Sequence, residues 1–152
     1  MIPISEISYA AARAIVEANI KPLTRAETVD IDNASGRVLA ETIFARLSVP
    51  SFDRSAMDGY AIIAADTAGV SLRNPKILKI VGELHAGETT TTAIRTGECF
   101  KIATGAMIPP GADAVVMIEN AEKSDAACKI FKSVSAAAFI SQAGEDIKEG
   151  EV

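Results

Sequence analysis

PSFDRSAMDGYAI, residues 50–62, sets two carboxylates, a guanidinium and a hydroxyl between two apolar stretches. Asp53, Arg54, Ser55, Asp58 and Gly59 interrupt the chain, and Tyr60, Ala61, Ile62 and Ile63 resume it at once. A turn needs only two or three such residues. Asp58-Gly59 is by itself a strong turn signal, because glycine tolerates positive φ and aspartate bonds to nearby backbone amides. Asp53 and Ser55 can cap the same bend. A functional reading instead places Asp58 at the head of a rigid strand, where a carboxylate binds a metal, orients water or accepts a proton. Arg54 would then meet an anionic group in a bidentate fork. Spacing alone leaves both readings open.

Downstream of this stretch the texture is that of a β domain. GYAIIAA (59–65), KILKIVG (76–82), ECFKIATG (98–105), ADAVVMIE (112–119) and CKIFKSV (128–134) are short runs rich in Ile and Val. Turn residues such as Arg73-Asn74-Pro75, Ala86-Gly87-Glu88 and Pro109-Pro110-Gly111 separate them, and Thr89 to Thr92 read as a loop. Strands at this spacing predict a compact, barrel-like β domain over 50–138. Upstream, residues 1–49 read as mixed α and β. Ser5 caps a helix to about Asn19, with Ile7, Ala11, Ala14, Ile15 and Ala18 on one face. AETVDI (26–31) and TIFA (42–45) read as strands, with a helical turn through GRVLAE between them. The fold class is therefore mixed α/β, predominantly β. Residues 139–152 form an acidic, glycine-punctuated turn leading onward: a frayed tail on composition alone, or the start of further domains.

Composition excludes several function classes. The net charge is −5, and Lys and Arg are dispersed, which is unsuited to neutralising a row of phosphates on nucleic acid. No apolar run approaches the ~18 residues of a membrane span, and the first residues lack a signal peptide's basic head and apolar middle. The expectation is a soluble, cytoplasmic protein with no nucleic-acid or membrane partner. Cys99, Cys128 and the single histidine, His85, cannot close a zinc site by themselves. The two thiols read as reduced and partly buried, and His85 as a surface residue in the turn-like GELHAGE.

A second loop, KIATGAMIPPGADAVVMIE (101–119), places Thr104-Gly105 after a strand and stiffens the return with Pro109-Pro110-Gly111. A hydroxyl beside a glycine at a strand end leaves room for a phosphate or pterin edge. The loop lacks the glycine spacing and Lys-Ser/Thr pair of a Walker motif. Asp113 reads as a cap or turn residue and Glu119 as a surface strand end.

PSFDRSAMDGYA together with TGAMIPPGADAVVMIE resembles the molybdopterin molybdenumtransferase family, which includes bacterial MoeA and the E domain of gephyrin. ISYAAARAIVEA, ASGRVLAE, VGELHAG, TGECFKIATGA and AGEDIKEGEV resemble the family's text in the same order, so the resemblance covers essentially the whole chain. It implies an enzyme that takes adenylylated molybdopterin and molybdate, releases AMP and leaves molybdenum on the dithiolene, with Mg²⁺ as cofactor. It implies an elongated homodimer whose active site lies between this region of one subunit and a molybdopterin-binding domain of the other. Matched motif by motif, Asp58 and Asp146 fall on the family's functional aspartates. Thr104 falls on its functional threonine, with Ser55 as a further substrate-binding candidate and Asp58 as a candidate Mg²⁺ ligand. The chain departs from the pattern twice: Arg54 stands where asparagine is common, and FISQAGED places Phe139, Ser141 and Gln142 where an Asn-Ile-Arg type segment is usual. The molybdopterin-binding and C-terminal β domains have no counterpart here. The expectation is an N-terminal part of a longer protein, inactive alone. The rival is a non-catalytic dimerisation or scaffold module of the gephyrin type.

Overall fold

The computed structural model describes residues 6–152, and the chain divides between Thr42 and Ile43 into two compact units. In the first, helix α1 spans Tyr9–Asn19. The Ser8 hydroxyl accepts the Ala11 amide at 3.2 Å, satisfying one of the donors a first helical turn leaves orphaned. Ser5, the expected cap, lies outside the described residues. No residue of α1 is buried, and Ile15 and Val16 each keep more than half of their surface exposed. AETVDI does not form a strand: among the described residues no strand pairs with it, and an unpaired strand has nowhere to place its donors and acceptors. A 3₁₀ turn at Ile31–Asn33 follows, earlier than the turn expected through GRVLAE. It is tied by Arg37, whose Nε donates to the Asn33 carbonyl at 3.1 Å while a terminal nitrogen pairs with Glu27.

The second unit holds eight strands: β1 (Arg54–Ser55), β2 (Gly59–Ile62), β3 (Lys76–Leu84), β4 (Glu98–Ile102), β5 (Ala114–Met117), β6 (Ala121–Ser124), β7 (Ala127–Ile130) and β8 (Ile140–Ser141). Six make one sheet in the order β5-β2-β4-β3-β7-β6, all antiparallel except β3 with β4. The predominantly β, mixed α/β class read from the sequence is the class observed. β5 and β6 are the edge strands, so the barrel-like domain is an open half-barrel.

Alternation along the strands builds a core on each face of this sheet. Tyr60, Ile62, Leu78, Cys99, Val116, Cys128 and Ile130 pack on one side. Ala61, Leu84, Ile94, Phe100, Ile102, Ala106 and Val115 pack on the other. All four residues of β2 are buried, as befits a central strand covered on both faces. Cys99 and Cys128 are free thiols, both fully buried rather than partly so.

Gly59 corrects the sequence reading of its role. It does not sit at positive φ; it is the first residue of β2, paired with Ile102 and Met117. A Cβ there would lie 1.9 Å from the Val116 carbonyl oxygen. Glycine is required for room between strands, not for a turn.

The acidic C-terminal segment is not frayed. Ala45 exchanges backbone hydrogen bonds with Glu151 and Gly150 at 2.8 and 2.9 Å, Val49 donates to Ile147 at 2.8 Å, and Gly144 donates to Pro50 at 2.8 Å. The extended segment expected at TIFA therefore pairs only from its last residue onward. Just upstream, Ala137 (φ 62°) and Phe139 (φ 56°) hold left-handed conformations, each costing about 1–2 kcal/mol for a side chain bearing a Cβ. The Ala137 amide donates to Asp113 and the Phe139 carbonyl accepts from Ala56, which keeps the bend in place.

Gly59→Ala is expected to lower stability by at least about 2 kcal/mol, since backbone rather than a flexible side chain occupies the space. Urea unfolding followed by circular dichroism checks this; an unchanged midpoint would refute the steric account.

Candidate functional site

The opening stretch turns out to be a junction. β1 is only two residues long, yet it pairs on both edges. On one side Arg54 faces Ser141 and Ser55 faces Ile140 in β8. On the other, Arg54 bridges Met107, the Ser55 amide donates to Ala106 at 2.9 Å, and the Ser55 carbonyl accepts from Gly105 at 2.8 Å. Asp53 extends the clamp: its carbonyl accepts from Ile108 at 3.0 Å and its Oδ1 from the Ala143 amide at 2.8 Å. Three segments far apart in sequence, 53–58, 104–108 and 139–143, are thereby fixed to one another.

Within this junction Asp58 and Thr104 are in direct contact. Asp58 Oδ1 accepts from the Thr104 amide at 2.7 Å and from the Thr104 hydroxyl at 2.8 Å. The local sequence explains the meeting. Asp58 immediately precedes β2, Thr104 follows β4 by two residues, and these strands are antiparallel neighbours with Gly59 opposite Ile102. Gly105, at φ 81°, then turns the chain back toward β1. The Thr104 amide first and its hydroxyl second hold the Asp58 carboxyl below its usual value, against an opposing effect of burial that exceeds the remaining help from the Lys101 charge. Asp58 is thus anionic at neutral pH. A depressed pKa makes it a poor general base near neutrality and suits it to holding a cation or water. Oδ2 has no protein partner among the described residues. Thr104 spends its hydroxyl proton on Asp58, so in this conformation it positions the carboxylate.

The other candidates sit differently. Ser55 is 1% exposed and its hydroxyl donates to the Met57 carbonyl at 2.5 Å, inside the bend. Asp146 is exposed, its amide donating to Val49 at 2.9 Å, and it makes no hydrogen bond to Asp58 or Thr104. It belongs to the turn that packs on the start of the opening stretch, where a cavity of about 400 Å³ is lined by Ile140, Gln142, Gly144, Glu145 and Lys148 among others. Among the described residues no three His, Cys, Asp or Glu side chains gather as a metal site.

Sequence reasoning missed Lys101. It lies on the β4 rung between Tyr60 and Glu83, donates to Glu83 at 2.6 Å and contributes to the field at Asp58. Its hydrogen bond is the main reason the Glu83 carboxyl also lies below its usual value. His85, read as a surface residue, is exposed, with Nε2 3.7 Å from Glu83. The only sequence signal for Lys101 was its place three residues before Thr104.

Comparison with known proteins follows the same register. The family model described as the MoeA N-terminal region (domain I and II) matches residues 7–152. A molybdopterin molybdenumtransferase of Staphylococcus epidermidis is 37% identical over 124 residues, covering 82% of this chain and 30% of that protein. The enzyme of the same name from Bacillus subtilis is 39% identical over 130 residues, covering 83% and 30%. A crystal structure of the molybdopterin biosynthesis MoeA protein from Pyrococcus horikoshii OT3 superposes with a TM-score of 0.83 at 36% identity, covering 97% of this chain and 39% of that one. The chain spans about a third of the length of these relatives.

The Asp58–Thr104 contact predicts a titration. The Asp58 carboxyl carbon, followed by NMR, should titrate below the ordinary carboxylate range, and Thr104→Val should move it part of the way back. Because the folded-state pKa is the lower one, the contact stabilises the fold above the unfolded value, near 3.8. That contribution is lost as pH falls through the folded value. An Asp58 titration unmoved by Thr104→Val would contradict the geometry.

Proposed function

The chain belongs to the family of the MoeA N-terminal region, and from that premise we propose that it is the N-terminal part of an enzyme inserting molybdenum from molybdate into adenylylated molybdopterin, with release of AMP. The coarser statement, membership in molybdenum cofactor biosynthesis, follows from the family itself. The observation that carries the finer one is the locked Asp58–Thr104 pair at the head of β2.

Cleaving a phosphoanhydride calls for neutralised phosphate charge and a positioned water. Asp58, anionic and with Oδ2 unpartnered among the described residues, would hold a Mg²⁺ through one carboxylate oxygen. Such an ion, when bound, would shield the phosphate charge. Thr104 fixes the carboxylate's orientation, and Asp146 adds a second carboxylate from the 144–151 turn. The half-site carries few cations: Arg54, Lys101 and Lys148 are those on its segments. That balance supports an active site whose anion-binding groups come from elsewhere; in our reading these belong to a molybdopterin-binding domain and a second subunit of a cytoplasmic homodimer, and this chain is inactive alone.

A second reading, a non-catalytic dimerisation or scaffold module, draws on the uncovered apolar face of α1. Association through that face accords with the enzyme as well, so substitution of Asp58 separates the two readings.

Titration of the chain with adenylylated molybdopterin and Mg²⁺ tests the proposal. Asp58→Asn should weaken binding about tenfold or more, the scale of a lost contact to a charged group, with the circular dichroism spectrum unchanged. The isolated chain should insert no molybdenum. Equal binding by both forms would favour the scaffold, and insertion by the chain alone would refute the half-site.

A further inference from the structure

Between the end of β1 at Ser55 and the start of β2 at Gly59 the chain leaves one sheet and enters the other. Ladder pairing lapses over these residues, so other groups must fix the crossing. The Ala56 amide donates to the Phe139 carbonyl at 2.9 Å, and the Asp58 carbonyl accepts from the Ile118 amide at 3.0 Å. Met57, between them, has no backbone partner among the described residues. Both of its peptide groups meet a single atom, Ser55 Oγ. That hydroxyl donates to the Met57 carbonyl at 2.5 Å and accepts from the Met57 amide at 3.4 Å.

Ser55 holds the other side of the Asp58–Thr104 contact as well. Its carbonyl accepts from the Gly105 amide at 2.8 Å, and its amide donates to the Ala106 carbonyl at 2.9 Å. One residue is therefore bonded to the immediate neighbours of both partners: Met57, before Asp58, and Gly105, after Thr104. Ser55 is buried, whereas Met57, Asp58 and Thr104 are exposed. A buried hydroxyl whose proton is already given to Met57 faces no ligand in this conformation. A serine bonded to the peptide two residues on fixes a turn that the backbone alone would leave open. Without that oxygen the exposed Met57 peptide is free to turn toward water, and Asp58 follows it in the chain.

We propose that Ser55 is the positioning residue of this half-site: buried beneath the rim, it fixes the Asp58–Thr104 contact from both sides and touches no substrate itself. That Asp58 then receives a Mg²⁺ rests on the functional reading above. The part Ser55 plays in placing Asp58 does not.

The Thr104 amide proton reports the contact directly, because a hydrogen bond to a carboxylate is charge-assisted and short. In Ser55→Ala its NMR signal should move upfield. Its hydrogen exchange should quicken about tenfold relative to the β4 amides, the scale of one lost hydrogen bond. Thr67→Ala is the control. Thr67 is a fully buried hydroxyl that donates to the Ala64 carbonyl at 2.8 Å and accepts from the Val134 amide at 3.1 Å, with no hydrogen bond to the junction. Its loss should lower the urea midpoint and leave the Thr104 signal in place. Ser55→Cys keeps the volume with a weaker donor. It should fall between the parent and the alanine variant, and it decides the question if Ser55→Ala does not fold. Mg²⁺ alone, titrated into each form, should bind Ser55→Ala more weakly by about the factor lost in protection, since only the positioned fraction is competent. A Thr104 amide unmoved in the Ser55 variants, or moved equally in Thr67→Ala, would overturn the assignment. A Thr104 amide that moves in Ser55→Ala, beside a parent chain with no saturable Mg²⁺ response, would uphold it and reject the metal reading of Asp58 alone.

Discussion

Backbone pairing along both edges of Arg54–Ser55 is the constraint on which the site depends. Two residues are too few to form a stable strand by themselves, and an isolated two-stranded ribbon is marginal in water. β1 persists because loop 104–108 satisfies one edge and β8 the other, while the Asp53 side chain anchors the turn beyond. The left-handed residues Ala137 and Phe139 bring β8 into register, and their strain is tolerable only because so many hydrogen bonds surround them. β1 is what ties the 104–108 loop to the 139–141 segment, while Val49 and Pro50 hold the turn beyond it through Gly144 and Asp146.

The six-stranded sheet supplies the second half of the geometry. β2 and β4 are neighbours packed on both faces, so the residue before β2 and the loop after β4 emerge at the same end of the sheet. Asp58 and Thr104 meet there without any local interaction that would bring them together. The close approach of β2 to β5, which leaves no space for a Cβ at position 59, sets the height at which Asp58 is presented. The Asp-Gly pair thus serves packing and site together: glycine admits the strand, and the aspartate before it is left at the rim.

Electrostatics divides the junction into spent and unspent groups. Thr104 and Lys101 hold Asp58 anionic, Lys101 is itself shared with Glu83, and Ser141 occupies Glu145. Asp58 Oδ2 is left over among the described residues.

By itself the sequence determined the β-rich class, the strands β2, β3, β4, β5 and β7, and the two loops on which Asp58 and Thr104 lie. These are signals of composition and of two-residue periodicity, which a strand buried in a sheet writes into its own residues. Motif resemblance added the family. Only the tertiary structure decided that AETVDI stays unpaired, that the acidic end runs along residues 45–50, that Ser55 faces inward, and that Arg54 stands across from Ser141. Each of those depends on a partner segment remote in the chain, 90 residues away in the case of Asp53 and Ala143. A strand of two mostly polar residues carries no periodicity to read. Its existence is a property of what lies beside it.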